Sequence, residues 1–172
     1  WSIVRALFRF GLPAGVQGVA MNLAGVALLR FIGSLEHSAE AQAAYAVGYA
    51  ELFALITWTS VGLMGAAGAV AGQNPGAGHP DRTMRAVQIA AQIGLGVAAC
   101  VSAMFLLIPE QLLGIFGLKD PVVVSLGTQL LRYLSVSGFF ITVALTYTGG
   151  LQGTGDTRSP LYITLVSQVV VP

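Results

Sequence analysis

The run AAYAVGYAELFALITWTSVGLMGAAGAVA, residues 43–71, decides how this chain is read, because it carries one charged residue, Glu51, and is otherwise apolar or small. At ~1.5 Å of rise per residue, a helix of that length crosses a hydrocarbon core of ~30 Å with room for tilt. Comparable stretches flank it, at about 11–33 on one side and about 83–108 and 122–150 on the other, and a further one begins near Leu161 and runs to residue 172. Polar or Gly/Pro-containing segments separate them: SLEHSAEAQ (34–42), GQNPGAGHPDR (72–82), PEQLLGIFGLKDP (109–121) and LQGTGDTRSP (151–160). The expectation is an all-α integral membrane protein, a bundle of about five transmembrane helices.

Composition agrees. Hydrophobic residues make up 55% of the chain and charged residues only 9%, against roughly 25% charged in an ordinary soluble domain. Mean hydropathy is +0.79 and there are 22 glycines, the mixture expected of helices packed closely in lipid. Net charge is +1 with no basic run, which excludes the footprint of a nucleic-acid binder. The single cysteine, Cys100, can form neither an internal disulfide nor a multi-cysteine metal site. Residues 1–10 place Arg5 and Arg9 on one face with Ile3, Leu7 and Phe10 elsewhere, which suits an interfacial approach helix rather than a signal peptide. Trp1 is not an initiator and the chain stops just after YITLVSQVVV, so a piece of a longer protein is expected.

Orientation follows from the arginines, since loops facing the cytoplasm carry the excess of positive charge. Arg5, Arg9, Arg82, Arg85 and Arg158 fall on one side, Arg30 and Lys119 on the other, and Arg132 lies inside the fourth span. The start of the chain is thus expected in the cytoplasm, with both glycine-rich loops.

Neither GAGHP nor GTGDT is a nucleotide-binding loop, because no strand precedes it and no Gly-Lys-Ser/Thr follows. Gly72, Gly76, Gly78, Gly153 and Gly155 instead let the backbone turn sharply and pass close to neighbours at the membrane exit, and Gly68 and Gly72 form a GxxxG helix-contact motif. Glu51 stands out, about eight residues or ~12 Å inside its span, where an unpaired charge is costly. Gly48, Glu51, Leu55, Trp58 and Gly62 share one side of that helix, as a cavity lining would. In the fourth span Thr128, Arg132, Ser135, Thr142 and Thr146 form a polar stripe that suits either a cavity wall or hydrogen bonding between helices. Arg132 either snorkels to the interface or pairs with an acid such as Glu51. Gln17 and Asn22 are isolated polar positions in the first span, suited to bonding between helices, as are Arg85, Gln88 and Gln92 in the third. His37 and His79 lie in loops, no residue cluster has metal-ligand spacing, and no nucleophile–base pair is visible, so neither a metal, a cofactor nor catalysis is expected.

Three motifs in order, GLP (11–13), GQNPGAG (72–78) and LQGTGDTRSP (151–160), together with LLGIFGLKDPVVV before the fourth span, resemble the multidrug and toxic compound extrusion (MATE) family along essentially the whole chain. The matching motif positions are Gly11, Pro13, Gly72, Gln73, Gly76, Gly78, Gly153, Gly155, Asp156, Thr157 and Pro160. The resemblance implies one lobe of a two-lobed, twelve-helix transporter, and the GDT-x-x-P run is closest to the second, C-terminal lobe. It implies a multi-pass protein of the bacterial inner membrane that exports cationic or amphiphilic drugs in exchange for H+ or Na+, with the other lobe of the same chain as partner. Two departures stand out: Pro75 replaces an apolar residue, which should stiffen the cytoplasmic turn, and the first and fourth spans hold no Asp or Glu for a cation. Glu51 is then the acid left to bind substrate or proton, with Trp58, Gln17, Asn22, Arg132, Ser135, Thr142 and Thr146 as candidate neighbours. A related lipid-linked oligosaccharide or polysaccharide flippase should show a strongly cationic cavity, for which Arg132 is the sole candidate, and a channel or structural subunit would need no cavity acid.

Overall fold

The computed structural model describes residues 1–167, and within them every regular element is helical. Helix α1 spans Ser2–Gly33, α2 Ser38–Tyr45, a π-helical stretch Ala46–Leu52, α3 Ala54–Gly76, α4 Pro80–Leu107, α5 Pro109–Ile115, α6 Pro121–Gly153 and α7 Arg158–Leu165. Four helical segments are long and apolar enough to cross a membrane: Ile3–Gly33, Ser38–Pro75, Pro80–Leu107 and Pro121–Gly153. At the start of the expected fifth span lies α7, eight residues long, and the remainder of that expected span, residues 168–172, lies outside the described residues.

The element boundaries differ from the expected ones for identifiable reasons. Residues 1–10 are not a separate approach helix: α1 runs through Gly11 and Pro13, since a proline removes only one hydrogen bond from a helix that makes many others. The second span starts at Ser38 rather than Ala43, because SAEAQ is polar but made of residues that tolerate a helix. It ends at Gly76 rather than Ala71, so Pro75 lies in the last turn of α3 and not in a loop. Pro75 has no N–H to give the Ala71 carbonyl, and the Thr83 hydroxyl reaches that oxygen at 3.5 Å instead. Likewise α4 begins at Pro80 and α6 extends through Gly153, which reduces the two loops on that face to residues 77–79 and 154–157.

Local chemistry sets these ends. Pro80, Pro109 and Pro121 each open a helix, where the missing N–H costs nothing. Asp120 caps α6 by accepting from the N–H groups of Val122 and Val123, at 2.8 and 3.2 Å. Gly78 (φ 78°) and Gly155 (φ 92°) follow α3 and α6 in the left-handed region, which stops a helix at little cost only for glycine.

Helices α3, α4 and α6 pack against one another as a trio; the backbone of α1 approaches only those of α2 and α7 among the described elements, and α1 reaches α6 through side chains. The trio's core joins Leu52, Phe53 and Ile56 to Ala98, Phe105, Leu113, Leu131 and Leu134. In lipid the hydrophobic effect no longer holds helices together, so close packing and hydrogen bonds must. The α3–α6 crossing shows how. Gly68 and Gly72 of α3 meet Gly149 and Gly153 of α6, a reciprocal pair of GxxxG faces. A methyl added at Gly72 would lie 2.8 Å from the Gly153 carbonyl oxygen, and one at Gly68 3.0 Å from that of Gly149. At Gly149 and Gly153 the fit is tighter still, against the carbonyls of Met64 and Gly68.

Candidate cation and substrate site

Glu51 lies about 20 Å along the second span from Ser38, well within the membrane. It stands in the π-helical stretch, where the Phe53 N–H bonds to the Gly48 carbonyl five residues back at 3.0 Å. Such a widened turn re-aims the side chains around it and recurs at functional sites. On the inner side of this stretch Gly48 packs under Leu130, and Leu52 and Phe53 are buried. Beside them Tyr45 stacks on Tyr49 with centroids 5.0 Å apart, and Tyr49 meets Phe53 at 5.6 Å. On the outer side Glu51, Leu55, Trp58 and Gly62 are all exposed, Trp58 to 74%. The expected stripe therefore exists without Gly48, which the wider turn places on the packed side.

The polar stripe of the fourth span divides. Ser135, Thr142 and Thr146 are buried between helices and bond there. The Thr142 hydroxyl donates to the Gly138 carbonyl at 2.8 Å and pairs with the Ser60 hydroxyl of α3 at 2.9 Å. Thr146 donates to the Thr142 carbonyl at 2.8 Å and Ser135 to that of Arg132 at 2.6 Å. Ser102 of α4 completes the set by donating to the Ser135 carbonyl at 2.8 Å. The Ser60–Thr142 and Ser102–Ser135 bonds join α6 to α3 and α4, while the Ser135 and Thr146 hydroxyls are spent within α6. Thr128 and Arg132 face elsewhere, into a groove of about 490 Å³ shared with Glu110 and Lys119, and Glu51 is not among its lining residues.

Gln17 sits half-buried where α1, α6 and α7 meet. Its Nε2 donates to the Thr164 hydroxyl at 2.9 Å, and its Oε1 accepts from Gln152 Nε2 at 3.3 Å. Asn22 donates back to the Gly18 carbonyl at 2.8 Å and lines a shallow groove with Tyr45 and Leu29. Gln152, Thr164, Ser60 and the two stacked tyrosines have structural roles that the sequence did not flag. For Gln152 a signal exists, a polar side chain one helical turn before a glycine turn; for the π turn there is none.

The loop motifs act as structural devices. After Gly155, Asp156 Oδ1 accepts from the N–H groups of Arg158 and Ser159, at 3.1 and 3.0 Å, while Oδ2 accepts from the Ser159 hydroxyl. Asp156 thereby starts α7, and the Ser159 hydroxyl, then its N–H, hold the carboxyl below the usual carboxylate range, the Arg158 N–H and guanidinium adding to this. Thr157 and Pro160 are buried beneath that turn, and Gln73 is exposed. Among the described residues no group of three or more His, Cys, Asp or Glu could hold a metal ion.

The family model described as MatE matches residues 13–171. The chain belongs to the MatE family. Its helices, glycine turns and Asp156 cap are thus those of a MatE membrane protein. Among its relatives, the probable multidrug resistance protein NorM of Thermotoga maritima is 26% identical over 167 residues, which are 97% of this chain and 35% of that protein. Multidrug resistance protein PmpM of Pseudomonas aeruginosa is 31% identical over 163 residues, 92% of this chain and 32% of its own. Multidrug resistance protein MdtK of Pectobacterium atrosepticum matches at 31% over 100 residues, 58% of this chain and 22% of the relative. The MatE chain thus spans about a third of the length of the first two relatives.

Proposed function

We propose that this MatE chain is part of a secondary active multidrug exporter of the bacterial inner membrane, coupled to H+ or Na+, with Glu51 as its charge-bearing residue. Its substrates are small cationic or amphiphilic compounds, the class suggested by the relatives named as multidrug resistance proteins. The observation that carries the reading is the position of Glu51: deep in a span, on a π turn, and on the face turned away from the helices of its own bundle. A charged side chain near the centre of a membrane helix costs roughly 3 kcal/mol on insertion scales. A stripe of Glu51, Leu55, Trp58 and Gly62 facing lipid would bear that cost for nothing. Facing a polar cavity between this bundle and a second lobe, the same carboxylate attracts a cation, and the exposed Trp58 ring adds a cation-π surface about two turns further on.

Coupling then follows from competition. One carboxylate holds a proton or a cationic substrate but not both, so arrival of either displaces the other, and rocking of two lobes converts the exchange into transport. The start of α1 and both glycine turns are assigned to the cytoplasmic side by their arginines. The test is Glu51→Gln in the full-length protein, assayed by gradient-driven efflux of a cationic dye from cells or vesicles. Loss of efflux with normal membrane abundance is expected; unchanged efflux removes Glu51 from the mechanism.

A further inference from the structure

Between α5 and α6, at the membrane face opposite Gly78 and Gly155, the groove of about 490 Å³ has a polar lining that the transport reading leaves unused. Its polar side chains are Glu110, Lys119, Ser125, Thr128, Gln129 and Arg132. We propose that this groove binds the headgroup of an aminophospholipid from the surrounding bilayer, with the phosphate between Lys119 and Arg132 and the ammonium on Glu110.

The depth is right for a headgroup. Helix α5 buries Leu112 and Leu113, the latter against Gly127 of α6, and turns outward a surface that includes Ile115, 77% exposed, with Leu107 and Phe116 at its ends. With Glu110 and Gln111 exposed on the same helix, α5 carries both apolar and polar sides, and a short helix of that kind lies along the boundary between acyl chains and headgroups. Lys119 stands at that boundary. Arg132 is about 16 Å further down α6 from Pro121, and its long stem lets the guanidinium reach back toward the interface.

The chemistry is selective. Asp120 does not contribute, because its carboxylate is taken up by the Val122 and Val123 N–H groups at the start of α6. Glu110 is therefore the acid that lines the groove beside two cations, a mixed-charge arrangement that matches a zwitterion better than a simple anion. A primary ammonium offers Glu110 three N–H donors, a choline none, and a glycerol headgroup no positive charge. Thr128 is a separate pointer: the residue lines the groove, and its buried hydroxyl has no hydrogen-bond partner among the described residues. An orphaned buried hydroxyl costs stability, and a lipid's glycerol ester carbonyl placed in the groove would accept from it, with Gln129 as a second donor.

Native mass spectrometry of the full-length protein, with synthetic phosphatidylethanolamine, phosphatidylcholine and phosphatidylglycerol of identical acyl chains added in turn, reads the affinities directly. Phosphatidylethanolamine should bind at least about fivefold more tightly than either of the others. Lys119→Gln and Arg132→Gln should each weaken it by about fivefold, the worth of one cation near a membrane surface. Glu110→Gln should abolish the preference for phosphatidylethanolamine over phosphatidylglycerol while lipid binding persists. Equal affinity for the three lipids, tighter binding of phosphatidylglycerol by the native protein, or cation variants that bind as the native protein does would each overturn the proposal.

Discussion

Replacing Gly149 by alanine tests whether the α3–α6 crossing is held by backbone contact. A methyl at Gly149 points at the Met64 carbonyl oxygen and also crowds the Met64 carbonyl carbon and Cα, so backbone rather than a movable side chain blocks it. Even the milder case, Gly72, would place its methyl 2.8 Å from the Gly153 oxygen, about 0.6 Å short of ordinary contact, and Gly149 falls further short. The helices must separate, which also loosens the Ser60–Thr142 bond and the fit of Gly150 against Val87. Overpacking of this kind costs roughly 1–3 kcal/mol. Alanine gains up to about 1 kcal/mol of helix propensity over glycine at an interior position of either helix, so Gly149→Ala should be roughly 1–3 kcal/mol less stable than an alanine placed in open space. Gly65→Ala is the internal control, because the facing helix α3 has open space there. Reversible denaturation of the full-length protein in mixed micelles measures both. If Gly149→Ala is as stable as Gly65→Ala, the contact does not hold the helices together and the account of the crossing is wrong.

Two other outcomes follow from the same geometry. Thr142→Val keeps the shape but removes the hydroxyl that bonds to Ser60 and Gly138, and should cost about 1 kcal/mol in the same denaturation assay. The Asp156 carboxyl is held below its ordinary value of 3.8, so its stabilising contribution is fully present above that value and is lost as the pH falls through the lowered native one; Asp156→Asn should flatten that acid limb, read as hydrogen exchange at the Arg158 and Ser159 amides.

The spans and their order were legible because a lipid-crossing helix needs little more than length and apolarity, and residues 43–71 supply both. Their ends were not, because hydropathy cannot distinguish a polar loop from the polar first turns of a helix: Ser38–Tyr45 and Gly72–Gly76 are helical despite their composition. Glu51, Leu55, Trp58 and Gly62 were correctly placed on one face by simple periodicity, which fails at Gly48 because a π turn adds a residue that no pattern announces. The helix-contact role of Gly68 and Gly72 was readable from GxxxG, whereas Gly149 as their partner required knowing which helices meet. Hydroxyls at Ser135, Thr142 and Thr146 fit a cavity wall or a helix seam equally well in sequence, and it takes the burial of all three and the Ser60–Thr142 bond to place them in the seam.

The uneven way the helices are fastened has a mechanical consequence. Helices α3 and α6 are locked by carbonyls lying against glycines, a joint with no rotamers to adjust, so this pair moves as one stiff piece, and α4 is held to it by side chains, Val87 on Gly150 and Thr142 on Gly94. Helix α1 is fastened differently: among the described residues its backbone nears only α2 and α7, and its long-range side-chain bonds are the two made by Gln17. Exchanging two amide hydrogen bonds for others costs far less than parting a backbone seam. A force applied to this bundle is therefore absorbed first at Gln17, swinging α1 like a door on a fixed post while the crossing at Gly149 holds its register.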